Sequence, residues 1–92
     1  MQQSALEPSP LGTLPAGSQV RIVEIRGGRE LVRKLLSLGL RIGSTVRVEH
    51  HRGRGLVVSS GATRVALGGG IVEKLMVLPV TLPDAEASEG DA

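Results

Sequence analysis

Apolar residues along this chain recur with two different periods, and the changes of period divide it into elements. From Ser18 to Ile25 (SQVRIVEI) they fall at alternate positions, Val20 and Ile22, and then shift phase to Val23 and Ile25. Alternation is the mark of a half-buried strand, and the phase shift predicts a bulge or bend near Val23. Gly27 and Gly28 end this strand. From Arg29 to Leu38 the period lengthens to about 3.6 residues. Leu31, Val32, Leu35, Leu36 and Leu38 then share one broad arc, with Glu30, Arg33, Lys34 and Ser37 on the remainder. That pattern predicts an amphipathic helix, and Gly39 suits the left-handed position just past its end.

Beyond Gly43 the alternation returns. Thr45 to His51 reads as a second strand, with Val46 and Val48 on one face and Arg47, Glu49 and His51 on the other. The RGRG of Arg52 to Gly55 reads as a hairpin loop, Leu56 to Ser60 as a third strand, and Gly61 and Ala62 as a tight turn. Thr63 to Leu67 makes a fourth strand with Val65 and Leu67 inward. Gly68 to Gly70 lead into a short turn through Glu73, and Lys74 to Val80 (KLMVLPV) closes as a fifth strand. The fold class is mainly β: a small, partly open SH3-like barrel of about five strands with one inserted amphipathic helix. Residues 1–10 read as a flexible N-terminal segment, 11–80 as the barrel, and 81–92 (TLPDAEASEGDA) as a disordered acidic tail.

Composition narrows what such a barrel can do. The 92 residues include no cysteine, which excludes a disulfide scaffold, a thiolate zinc site, an iron–sulfur cluster and a cysteine nucleophile. They also include no Phe, Tyr or Trp. Stacking platforms for single-stranded nucleic acid and aromatic grooves for Pro-rich peptides therefore cannot be built. The N-terminus lacks the positive and apolar regions of a signal peptide, and no apolar run is long enough to span a membrane, so direct membrane insertion is not expected.

The formal charge of +2 conceals two opposed regions. All eleven Lys and Arg lie between Arg21 and Lys74 with only four of the nine acids, whereas the stretch after Val80 holds Asp84, Glu86, Glu89 and Asp91 and no base. A basic surface of this kind either is dispersed and solvated or forms a patch for phosphates. Dispersal is favoured, so a nucleic-acid partner is not expected.

Little else points to catalysis. The serines and acids form no Ser–His–Asp arrangement, and the chain reads as a non-enzyme. The run LGGGIVEK places Gly68 and Gly70 as in a phosphate-binding loop, but position 73 is Glu and no long helix follows. His50 and His51 are the only histidines. Glu49 and His51 would share a strand face and are the weak metal candidates, two ligands where zinc needs three or four. No cofactor is required; weak binding of Fe(II) or another divalent metal stays open. The more informative feature is apolar material beyond the needs of one small interior. Leu36 sits at the edge of the helical arc beside Arg29 and Arg33, and Leu40, Arg41 and Ile42 follow in the connection. Arg29, Arg33, Leu36, Leu40 and Arg41 are therefore the candidate partner-binding set, an apolar strip with a basic rim. An open edge strand leaves a homo-oligomer open as well.

RKLLSLGLRIGSTVRV (Arg33 to Val48), the G-x-x-V-x-I-V-x-I strand from Gly17 to Ile25 before it, and ALGGGIVEKLMV (Ala66 to Val77) after it resemble the FeoA family. The resemblance covers about Leu11 to Val80 and is densest at LSLGLRIG, where a helix ends in Leu-Gly-Leu and a Gly opens the next strand. It departs from the family in its short RGRG loop, which is often longer and Pro-containing there. The resemblance implies a cytoplasmic, non-enzymatic accessory of bacterial ferrous iron uptake that docks on a FeoB-type membrane GTPase transporter and modulates it. The same fold forms the C-terminal domain of DtxR-type iron-dependent repressors. A basic barrel binding nucleic acid and a metal-sensing adaptor are the alternative functions.

Overall fold

The computed structural model describes residues 7–80, and the acidic tail and most of the N-terminal segment lie outside them. Six strands form one antiparallel sheet in the order β1-β6-β2-β3-β4-β5. They are β1 (Ser9–Pro10), β2 (Gln19–Ile25), β3 (Thr45–Arg52), β4 (Gly55–Ser60), β5 (Thr63–Leu67) and β6 (Leu75–Pro79). A helix α1 (Arg29–Ser37) connects β2 to β3, and a single turn of helix α2 (Gly69–Val72) connects β5 to β6. β1 and β5 are the two edges, so the sheet curls without closing, as expected of a partly open barrel.

One inward row from each strand fills the interior. Val20 and Ile22 of β2, Val46 and Val48 of β3, Leu56 and Val58 of β4, Val65 and Leu67 of β5, and Leu75 and Val77 of β6 are all buried. Leu11, from the 3₁₀ turn Leu11–Thr13, and Val72 of α2 complete the same cluster together with Leu35 and Leu40. No buried residue is polar or charged among those described, so the cohesion is aliphatic burial plus the backbone ladders.

Three departures from the pattern-based reading have physical causes. Ser9 and Pro10, assigned above to a flexible segment, pair with Val77 and Met76 of β6. Pro is tolerated there because β1 is an edge, where a missing N–H costs no central ladder bond. The β3–β4 connection is tighter than four residues: Arg52 and Gly55 are already paired, leaving Gly53 and Arg54 as a two-residue turn, with Gly53 at φ +59°. The third departure is a second register shift, in β3 between Val48 and His50. The shift expected near Val23 is present between Ile22 and Glu24.

Candidate docking site

Helix α1 begins at Gly28, whose extended backbone carries no side-chain cap, and its carbonyl accepts from the N–H groups of Leu31 and Val32. The end is fixed more tightly. Gly39 adopts φ +84°, its N–H donates to the Leu36 carbonyl at 2.9 Å, and the Leu40 N–H donates to the Leu35 carbonyl at 2.8 Å. This is a Schellman motif, which normally brings the residue after the glycine against the third residue from the helix end. Leu35 and Leu40 are accordingly both fully buried in one cluster.

That motif corrects one member of the candidate set. Leu40 faces the core, not a partner, because the left-handed turn at Gly39 folds the chain back across the helix end. Leu36, by contrast, is 52% exposed, and Arg29, Arg33 and Arg41 are exposed with it. Ile42 is 57% exposed and joins the surface in place of Leu40. Its position in an apolar connection was the available signal. The loop that carries Arg41 and Ile42 is held rigidly: the Arg41 N–H donates to Ser44 Oγ, the Ser44 N–H to the Arg41 carbonyl, and the Gly43 N–H to the Ile22 carbonyl at 2.7 Å.

Arg29, Val32, Arg33 and Leu36 stand at i, i+3, i+4 and i+7, so they form one stripe along α1. With Gly27 and Gly28 they line an open hollow of about 350 Å³. The nearest ion pair, Arg26 to Glu24 at 3.2 Å, engages neither Arg29 nor Arg33, and among the described residues neither guanidinium has a carboxylate within ion-pair distance.

The weak metal candidates are not brought together. The β3 bulge leaves Glu49 unpaired and changes the phase, so His50 pairs with outward Val57 while His51 pairs with buried Leu56. Glu49 and His51 thus lie on opposite faces, contrary to the shared face expected from simple alternation. Glu49 accepts a 2.6 Å hydrogen bond from Ser59 Oγ, and His51 Nε2–H donates to the Leu14 carbonyl at 2.8 Å. The Ser59 hydrogen bond, reinforced by Arg64, Arg47 and His50, holds the Glu49 carboxyl below the ordinary value of 4.5 against a smaller opposing effect of desolvation. Among the described residues no three His, Asp or Glu side chains gather into a metal-binding group.

The family model of the FeoA domain matches residues 9–79. A protein of Methanocaldococcus jannaschii, provisionally named Fe(2+) transport protein A, is 29% identical over 68 residues, 74% of this chain and 83% of its own length. A crystal structure of an iron uptake regulatory protein, FeoA, superimposes with a TM-score of 0.72 at 32% identity, covering 79% of this chain and 97% of that one. A manganese-dependent transcriptional repressor in complex with manganese superimposes with a TM-score of 0.73 at 19% identity over 37% of its length, a likeness of fold alone.

Proposed function

Because this chain belongs to the FeoA family, with a family match over nearly all its described residues, we propose that it is a non-enzymatic accessory of ferrous iron transport that docks on the cytosolic part of a FeoB-type GTPase transporter. The observation that carries this reading is the stripe on α1: exposed Leu36, beside half-buried Val32, framed by the guanidiniums of Arg29 and Arg33, which have no carboxylate partner among the described residues. A large exposed apolar side chain with a basic rim is the composition of a protein-docking surface. Arg41 and Ile42, on the braced loop at the far end of α1, extend it.

The small interior supports a binding role over a catalytic one. It is filled with Val, Leu and Ile, and the four most marked hollows among the described residues are open surface features lined by residues with no nucleophile–base pairing. The protein would work on the cytoplasmic side, where the transporter's GTP-binding part lies.

Association with the purified transporter from the same genome tests the reading. Leu36→Asp lowers the affinity at least about tenfold while leaving the melting temperature within a few degrees, because the side chain it replaces is half outside the fold. Normal binding by Leu36→Asp would remove α1 from the docking surface.

A further inference from the structure

The hollow beside α1 has a shape and a charge arrangement that specify its occupant more closely. One end is formed by Gly28, where an added Cβ would meet nothing within 4 Å, so that end of the hollow is open. The body is formed by Val32 and Leu36, and the rim by Arg29 and Arg33, one helical turn apart. A second helix packs onto such a stripe by setting its own i, i+3, i+4 ridge into the groove. Carboxylates one turn apart on that helix then match the two guanidiniums, each a fork that binds a carboxylate through two N–H donors.

Other occupants fit less well. A second copy packed through the same stripe would bring four arginines together with no acid between them. A nucleic-acid backbone would satisfy the arginines but leave Leu36 against phosphate. An anionic membrane would have, among the described residues, only Leu36 of the nine-residue helix and Ile42 of the loop after it as large exposed apolar side chains to receive.

We propose that this groove receives an acidic amphipathic helix of the partner, which seats an apolar side chain over Val32 and Leu36 in the space left at Gly28 and sets two carboxylates, one turn apart, against Arg29 and Arg33. The proposal rests on the docking reading above and adds the chemistry and conformation of what docks. Affinity should accordingly fall as salt is raised, because the two charge pairs at the rim are partly exposed.

The test uses the full chain and the purified transporter. Gly28→Leu fills the groove, and Arg29→Glu with Arg33→Glu inverts its rim; each is expected to lower affinity at least about tenfold. Gly28 has φ −87°, which any residue adopts, and should Gly28→Leu melt early, Gly28→Gln supplies the same obstruction with a polar side chain. A benzoylphenylalanine placed at Ser37, on α1 beside Leu36, is expected to crosslink to a transporter segment carrying Asp or Glu four residues apart around Leu, Ile or Val. Wild-type binding by both the filled and the charge-inverted variants, with Leu36→Asp still impaired, would leave docking standing and overturn the groove proposal. A crosslink to a segment without that acidic spacing would overturn it too, as would capture of the protein by phosphatidylglycerol vesicles in place of the transporter. Failure of the wild-type chain to bind the transporter at all would instead overturn the docking reading on which the proposal rests.

Discussion

Two faces of this molecule are rich in arginine, and they differ in everything else. On the outer face of β3, β4 and β5, Arg47, Ser59 and Arg64 lie side by side across three strands, with Glu49 on the bulge among them. Glu49 is bonded to Ser59, sits 4.0 Å from Arg47 and is drawn on by Arg64, so charge there is answered within the fold. On α1, Arg29 and Arg33 have no such answer among the described residues and enclose apolar surface instead. The comparison teaches that a basic surplus does not itself mark a binding surface. Unanswered charge beside uncovered hydrocarbon does, because both gain by association.

The sharpest way to probe the difference is to separate the two sides of the helix region. Leu40→Ala removes a fully buried side chain beside Leu35, and it is expected to cost about 2–5 kcal/mol, enough to lower Tm by roughly 10 °C or more in a domain of this size. Leu36→Ala, three-dimensionally close but on the exposed side, should change stability by only about 0.5 kcal/mol. Equal thermal shifts in calorimetry would mean that the stripe belongs to the core after all.

A smaller effect separates the two regions by their tolerance of added volume. A Cβ on Gly55, where β4 begins, would run into the backbone carbonyl of Leu67 on β5, so Gly55→Ala is expected to cost about 1–3 kcal/mol through displaced backbone. At Gly28 the same methyl meets open space, and Gly28→Ala should cost about 0.5 kcal/mol or less through the weaker N-cap. Urea unfolding of the pair measures both. Equal midpoints would show that the hairpin face is as yielding as the helix end.

The outer β face also predicts a near-null result in binding. Arg47→Ala with Arg64→Ala removes two exposed positive charges but no apolar contact, so affinity for the transporter should change by only about twofold. A loss as large as that of Leu36→Asp would move the docking surface to the sheet and favour the basic-face reading of the sequence.

Much of this contrast was legible in the residues. The change of period at Arg29 located α1, the phase shift at Val23 located the β2 bulge, and the position of Leu36 at the rim of its arc foretold its exposure. Leu40 was misplaced although its signal was present: Leu-Gly-Leu at a helix end is the sequence of a Schellman motif, whose hydrophobic contact pulls the last residue inward. Ser9 and Pro10 carry no local signal, because their pairing with Met76 and Val77 is set by chain returning from far along the sequence. The β3 bulge was hidden for a related reason. Glu49, His50 and His51 are all polar, so no apolar phase marks the shift that sends His51 to the other face.

The smallest expected effect tests whether the outer face is as self-contained as the ion and hydrogen-bond partners of Glu49 indicate. The Ser59 hydroxyl favours the ionised carboxylate and so lowers the folded-state value of Glu49 below its unfolded value of about 4.5. A group whose folded value is depressed contributes stability that is present in full above the unfolded value and disappears as pH falls through the folded one. Ser59→Ala brings the folded value back toward 4.5, so its deficit relative to wild type should be constant near neutrality and should narrow as pH is lowered below about 4.5. Thermal melts of the two chains between pH 7 and pH 3 measure that difference. A deficit that stays constant over the whole range would mean that Ser59 acts on Glu49 only as a neutral packing neighbour, and that the arginines beside it are no better answered than those on α1.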